Sequence, residues 1–507
     1  MPQTPTTRRW PRWAPFALVP VLALVAILSW GFASSSGDDP TDDDFHLSSI
    51  WCGQGERDIC GDAANEGERS LYRDLMIDAV CNAFNAEASA SCQGEDFGQN
   101  PDDVVETGRG NFDGLYPPVF YFVMSTFATE DIETSVLVMR SANAVIFVGF
   151  VSLLFWLLPV HRRQTLVWAI AVTIVPLGIW LIPSTNPSSW AILSAATLWV
   201  ALLGMFESTG RRRIALGAMA GVAVVIGAGA RADAALYAGL SILLVLLLVL
   251  RRNRALLWPT VVALAFAALA GVLFLGASQS SAATEGLGGP GGTENPAVLA
   301  IANLINVPAL WAGIYGSGFG LGWLDTAMPA AVWFAGVGSL IAVLFVGIAA
   351  RVPRKLIAVV VLLIVIWLYP TYLLVQSQSI VGANFQPRYL LPLLVVMAGF
   401  LLLQTPERPL VVTRIQVGIV VVALSFANAL ALHMTMRRYL TGTDVAGINL
   451  DADVEWWWNI PVSPMAVWII GSLAFAGAMA GIASKALNTP APGATPGAVV
   501  VVTTERA

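Results

Sequence analysis

The sequence predicts an all-α integral membrane protein, a bundle of about 12 transmembrane helices with further interfacial helices in long exoplasmic loops. Three observations predict it. Of 507 residues, 56% are hydrophobic and 12% charged, against about 25% charge in soluble domains. The apolar residues fall in runs of about 20, the length that crosses a bilayer. The basic residues gather in alternate connections, the asymmetry that orients membrane proteins.

The apolar runs cover residues 14–34, 136–159, 165–183, 188–207, 214–230, 234–250, 255–276, 328–350, 356–375, 389–404, 415–433 and 465–484. Arg8, Arg9 and Arg12 precede the first. His161-Arg162-Arg163, Arg211-Arg212-Arg213, Arg251, Arg252 and Arg254, then Arg351, Arg354 and Lys355, then Arg408 and Arg414 occupy every second connection, and Lys485 follows the last run. The positive-inside rule makes these loops, the N-terminus (1–13) and the C-terminus cytoplasmic. The first run has the charge order of a signal peptide, with Ala33-Ser34-Ser35-Ser36 as a possible cleavage site. Its length favours an uncleaved span. The tail 485–507 is rich in Pro, Gly, Ala and Thr without periodicity and reads as disordered.

The remaining connections are exoplasmic, and two are long: 35–135 and 277–327. The second opens on the glycine-rich piece Glu285–Thr293 and continues through Ala297–Tyr315, apolar at helical spacing but interrupted by Asn303, Asn306 and Pro308. That pattern suits a helix in the membrane interface better than a span. Tyr116–Ala128 is too short to span and rich in aromatics, which suits the headgroup zone. A third loop, Thr435–Pro461, carries Trp456-Trp457-Trp458, an interfacial anchor or a sugar-stacking platform.

All four cysteines, Cys52, Cys60, Cys81 and Cys92, lie in the first long loop. An even count in one polar segment predicts two disulfides and an oxidising compartment. The local pairing, Cys52–Cys60 with Cys81–Cys92, is the expectation. A four-thiolate metal site would show closely spaced cysteine pairs, which are absent.

The spans carry almost no charge. Ion-coupled transporters place ionisable groups at mid-membrane. Here the charges sit at exoplasmic span ends: Arg140, Arg231, Asp233, Asp325, Arg388 and the stretch Asp42-Asp43-Asp44-Phe45-His46. That distribution suits an enzyme acting on a lipid-linked headgroup. If the stretch is helical, Asp42 and His46 share a face. Inverting glycosyl transfer needs one carboxylate to take the acceptor's proton. A second can orient it or hold a divalent cation such as Mg or Mn. A phosphate leaving group needs arginines or cations, and Arg388, with Arg231 after it, is placed to serve. The plainer alternatives are a solvated helix start for the aspartates, a snorkelling Arg388, an Arg231–Asp233 pair, and cap chemistry at Asn186. The net charge of −6 says little in a membrane protein, where sign is sorted by side, and no nucleic-acid partner is expected.

Pro40-Thr-Asp-Asp-Asp-Phe-His46 resembles the P-D-E-x-x-H pattern of a family of bacterial multispanning proteins. That family was first catalogued as a domain of unknown function and taken to be GT-C-type glycosyltransferases. Tyr116-Pro-Pro-Val-Phe-Tyr121, Arg140-Ser-Ala-Asn143, Asn186-Pro-Ser188, Phe319–Thr326 with Trp323 and Asp325, and Gln386-Pro-Arg-Tyr389-Leu-Leu-Pro392 match in order, with Pro387 in place of a family Gly. The resemblance covers residues 14–404. It implies a GT-C-like catalytic module followed by C-terminal helices over 405–484. It implies a polyprenyl-phosphate sugar donor, an envelope glycan or lipid-linked acceptor, and transfer on the outer face of the plasma membrane. It also implies a base in the first loop. Asp42 is the expected base and Asp43 its helper, with Asp44 a solvated neighbour. His46, Tyr116, Arg140, Asn186, Trp323, Asp325, Gln386 and Tyr389 are candidate substrate contacts. The Ala- and Arg-rich composition resembles actinobacterial proteins, where such enzymes build arabinan and mannan, so an arabinofuranosyl or mannosyl donor follows by analogy. A lipid-sugar flippase and a non-catalytic envelope assembly protein remain the competing functions.

Overall fold

A computed structural model describes residues 14–37, 42–100, 102–251, 253–287, 295–348, 352–404 and 412–487. The N-terminal arm, Arg252, Arg351, Arg408, most of the glycine-rich piece and the tail after 487 lie outside the described residues.

Helix α1 (Ala14–Gly31) leads to α2 (Asp43–Trp51). A small antiparallel sheet follows, from β1 (Gly61–Asp62), β2 (Arg69–Tyr72) and β3 (Val104–Thr107), with α3 (Arg73–Met76) after β2. Gly61 pairs with Ser70, and Tyr72 with Val104. The helical expectation holds for the rest of the chain, and this small sheet is the departure from it. The strands are too short and polar to show the alternation that betrays a strand.

Then come α4 (Val119–Met124), α5 (Ile132–Leu157), α6 (Val160–Ala171), α7 (Leu177–Leu181), α8 (Ser188–Glu207), α9 (Gly210–Ala228) and α10 (Ala232–Val249). The chain continues through α11 (Leu257–Leu275), α12 (Ala282–Glu285), α13 (Pro296–Gly313), α14 (Ala330–Ile348), α15 (Pro353–Gln376), α16 (Pro387–Leu401), α17 (Arg414–Leu440) and α18 (Pro464–Leu487). Helix α8 is the axis, buried from Ser188 to Phe206 and packed by α9, α10 and α16. Helix α1 packs between α18 and α5 as part of the bundle.

Among the described residues, nine helices are long and apolar enough to cross a membrane: α5, α8, α10, α11, α13, α14, α15, α17 and α18. Helix α16 is a shorter apolar helix, and α1 is apolar over Ala17–Gly31. The expected count of about 12 exceeds these nine: α16 is short, and two other runs are shortened or broken. Helix α9 spends its first turn on Arg211-Arg212-Arg213. The 165–183 run breaks between α6 and α7 at Pro176, whose ring removes a backbone donor. Against these losses, α13 is continuous through Pro308 and long enough to span, although its interruptions suggested an interfacial helix. Proline at 308 leaves the Leu304 carbonyl without its helical donor, and the Trp367 indole of α15 supplies one at 2.7 Å.

Large apolar side chains such as Leu275, Phe334, Phe345 and Ile415 are exposed on the bundle exterior, the surface a lipid environment requires. The short basic connections meet on one face. Arg162 reaches Glu207 at 2.6 Å and the Gln404 carbonyl at 2.8 Å. Arg354 reaches Leu250, and Lys355 the carbonyls of Gly347 and Leu403. α2, the sheet and the acidic stretch lie at the other end of these helices.

Candidate functional site

The acidic stretch does not run as one helix. Helix α2 begins at Asp43, and Asp42 precedes it at φ +83°, a left-handed conformation that costs most residues energy and to which Asp is better suited than most. The turn sends neighbouring carboxylates to different places. Asp43 is buried, and its Oδ1 accepts from Thr185 Oγ1 at 3.2 Å. Asp42 Oδ2 accepts from Arg388 Nη2 at 2.8 Å, and its Oδ1 from Arg109 Nη2 at 3.3 Å. Arg109 also grips Asp44, through Nη2 at 2.8 Å and through Nε, so Asp44 is a paired group and not a freely solvated one. Burial pushes the Asp42 carboxyl up, but the charge of Arg388, with that of Arg109, outweighs it and holds the group below the usual carboxylate range.

Arg388 is aimed by Pro387. Proline at the first helical position has the φ a helix needs and no missing bond there, so α16 starts at Pro387 and Arg388 falls in its first turn, buried. The guanidinium lies 5.2 Å from the Tyr389 ring and donates to its hydroxyl at 3.3 Å. Arg231 precedes α10 and makes the bidentate pair with Asp233, at 2.8 and 2.9 Å, that the plainer expectation described. It is nevertheless part of the cluster, because its guanidinium lies 5.0 Å from the Tyr389 ring and 5.6 Å from that of Tyr116. Burial pushes the Tyr116 hydroxyl up to about 12.

His46 is fully buried among Phe45, Tyr116 and Tyr121. Its Nδ1 shares a hydrogen bond of 2.9 Å with the Tyr121 hydroxyl. Its Nε2 is buried without a protein partner. Burial, then the charge of Arg388, holds the imidazole well below its usual range and therefore neutral.

Backbone dipoles reinforce the cluster. The N-termini of α2, α8, α10 and α16 meet here through Asp42–Arg388, Asp43–Thr185 and the 3.5 Å contact of Arg231 with Ser188. Helix N-termini carry partial positive charge and unpaired N–H groups, which suits anions.

The other expected residues divide. Asn186 lies in the turn beneath Asp43, where its Oδ1 caps Ser188 N at 2.9 Å, the cap chemistry expected, while its Nδ2 is buried without a partner. Gln386 precedes α16. Arg140 has a bracing role at the exit of the first helix. It donates to the carbonyls of Gly31, Ser34 and Ser35 at 2.7–2.9 Å. Trp323 and Asp325 belong to a separate assembly, where Asp325 pairs with Arg438 at 2.8 Å and Trp323 packs on Phe84. Trp458 is buried against Arg140 and donates to the Phe32 carbonyl at 3.1 Å. It is a core residue, neither a headgroup anchor nor a sugar platform. The disulfides are Cys52–Cys60 and Cys81–Cys92, the local pairing.

Three contributors escaped the sequence reading: Arg109, Thr185 and the role of Tyr121. Arg109 stands between two glycines in Thr107-Gly-Arg-Gly-Asn111, a weak signal for a basic group brought back onto an acidic stretch.

The donor set does not fit a divalent cation at Asp42 and Asp43. Both oxygens of Asp42 face guanidinium groups, which repel a cation, and Asp43 Oδ1 is engaged by Thr185. Among the described residues, no cluster of three His, Cys, Asp or Glu side chains could hold a metal.

A family model described as "Predicted membrane protein (DUF2142)" matches residues 12–397. No curated protein matches the chain.

Proposed function

The chain thus belongs to the DUF2142 family of predicted membrane proteins, and we propose that this member transfers a sugar from a polyprenyl-phosphate donor to a cell-envelope acceptor. The observation that carries this reading is the Asp42 carboxylate, shared by Arg388 and Arg109 where four helix N-termini meet. Such a cluster suits an anionic headgroup beside a group able to take a proton. The gathering of basic loops on the opposite face supports a cytoplasmic position for that face. The cluster then opens to the exoplasm, as a plasma-membrane enzyme using a lipid-borne donor requires.

In the proposed reaction the acceptor hydroxyl attacks the anomeric carbon and gives its proton to Asp42. The bond from that carbon to the phosphate oxygen breaks, and polyprenyl phosphate leaves against Arg388 and Arg231. Paired to two arginines, Asp42 is a weak base. When the donor phosphate draws Arg388 away, Asp42 loses its strongest cationic partner and its basicity rises. Binding of the donor would thereby switch on the base. Asp43, buried on Thr185, holds the turn that presents Asp42.

The test is transfer by the purified protein in nanodiscs with a panel of polyprenyl-phosphate sugars, with and without chelator. Wild-type transfer that survives chelation and is lost in Asp42→Asn and Arg388→Ala supports the reading. Unchanged transfer by both Asp42→Asn and Asp43→Asn would sink it. Absence of transfer with every donor would favour an assembly role, for which the Arg109 latch over Asp42 and Asp44 is also suited. Movement of an untransformed donor across sealed vesicles would favour a flippase.

A further inference from the structure

We propose that a slot between α1, α5, α6 and α18, on the basic face, binds one anionic glycerophospholipid, with an acyl chain in the slot and the phosphate at Arg163 and Arg212. The cavity is about 240 Å³ in volume. Its walls are apolar, with Ala23 of α1, Phe147 of α5, Ala171 of α6 and Met479 of α18 among them. Its charge is confined to one end, at Arg163 beside Gln164. The slot runs from the start of α6 toward the bundle centre, about 12 Å from Arg163 to Ala171 at the helical rise. The Asp42 cluster lies at the other face, so this site is separate from the proposed donor site.

The charged end fits a phosphate. Arg163 Nε donates to the Leu158 carbonyl at 3.0 Å, and Arg212 Nε to the adjacent Leu157 carbonyl. The two guanidinium groups are near enough for Arg212 to repel the charge of Arg163. Arg163 also reaches the Trp156 carbonyl at 2.9 Å and stacks 5.3 Å from Phe155. Neither arginine has a carboxylate partner among the described residues. Each guanidinium offers five N–H groups, most of them unused here. A phosphate between them relieves their repulsion and accepts those donors.

A second observation names the headgroup. Gln164 Oε1 is buried without a partner, and an amide oxygen in that state needs an O–H or N–H donor. A glycerol headgroup carries hydroxyls next to its phosphate and meets both needs. The surroundings favour a lipid over a protein segment, since Leu153 and Trp156 beside the slot are exposed apolar side chains of the lipid-facing surface.

The experiment is native mass spectrometry of delipidated full-length protein with added dioleoyl phosphatidylglycerol or dioleoyl phosphatidylcholine. Wild type should retain one phosphatidylglycerol with about tenfold preference over phosphatidylcholine, about 1.4 kcal/mol. The double variant R163Q/R212Q should lose that preference, and Ala23→Phe, which fills the slot, should retain less of both lipids. Melting temperatures with and without added phosphatidylglycerol check folding, and only wild type should gain stability. Equal retention of the two lipids by wild type overturns the proposal, whatever the variants do. So does a preference that survives R163Q/R212Q. The readout is binding, so either result leaves the transfer reading untouched.

Discussion

Arg388 meets Asp42 and Arg438 meets Asp325 at the same distance, 2.8 Å, on the same face of the molecule. Both arginines are buried, at 3% and 0% exposure, but Asp42 is 45% exposed and Asp325 8%. Arg438 is also bound by the carbonyls of Ala88 and Asn82, at 2.6 and 2.8 Å. It is a closed staple that fixes the disulfide-braced loop to the end of α17. Arg388 is surrounded by a tyrosine ring and a second guanidinium, and its aspartate is open to solvent. The comparison teaches that an ion pair's length says little about its role. A pair enclosed by fixed backbone acceptors holds structure, whereas a pair whose anion is open to solvent can exchange a partner for a ligand.

The largest test of that contrast is chemical. Asp42→Asn should lower transfer by about 10²–10⁴-fold, the range for loss of a general base, while Asp325→Asn should lower transfer only as far as it lowers the folded fraction. Equal specific losses in the two would dissolve the distinction. Next, Arg438→Ala should cost about 3–5 kcal/mol of stability, as expected when a buried charge loses its partner. Thermal unfolding in micelles should show a clear loss there and a smaller one for Asp42→Asn. Third, Cys81→Ser with Cys92→Ser should cost about 2–4 kcal/mol. Because that disulfide supports the segment gripped by Arg438, its loss should be less than additive with Arg438→Ala.

A smaller effect depends on pH. The folded state holds His46 below its ordinary pKa of 6.5, so the unfolded chain binds the proton first as pH falls. Stability is therefore full above about pH 6.5 and lost below it, by up to about 1.4 kcal/mol per pH unit. Replacing His46 with Asn should remove that slope from the melting temperature between pH 7.5 and 5.5. A slope unchanged by the substitution would refute the assignment. The smallest effect is at Arg109, half exposed over Asp42. Arg109→Ala should change stability by less than about 1 kcal/mol. By removing positive charge it should raise the Asp42 pKa and move the acid limb of the transfer profile to higher pH.

The membrane class was legible because composition and run length are properties of the chain alone. Loop polarity was legible for the same reason, and so was the disulfide pairing, which is local. The span count was less so. The Arg211–Arg213 turn and Pro176 shorten or break runs that hydropathy joins, and the Leu304 carbonyl freed by Pro308 finds its donor, Trp367, only in the folded bundle. The site was half legible. Asp42, Arg388, Arg231, His46, Tyr116 and Tyr389 do come together, while Asp325 is paired with Arg438 and Trp323 packs on Phe84, since charge at a span end does not say which partner the fold will bring.

Sequence by itself determined the apolar spans, the basic alternate loops and the acidic stretch beside the first helix. It did so because hydropathy, charge and cysteine spacing act locally, whatever the distant chain does. Only the tertiary structure decided that Asp42 turns away from Asp43 at φ +83° and meets an arginine 346 residues away. It alone decided that Arg109 closes over it from the sheet and that Asp325 is enclosed elsewhere. Those outcomes rest on burial and on the competition among acceptors for a few guanidinium groups, and that competition exists only once the helices are packed.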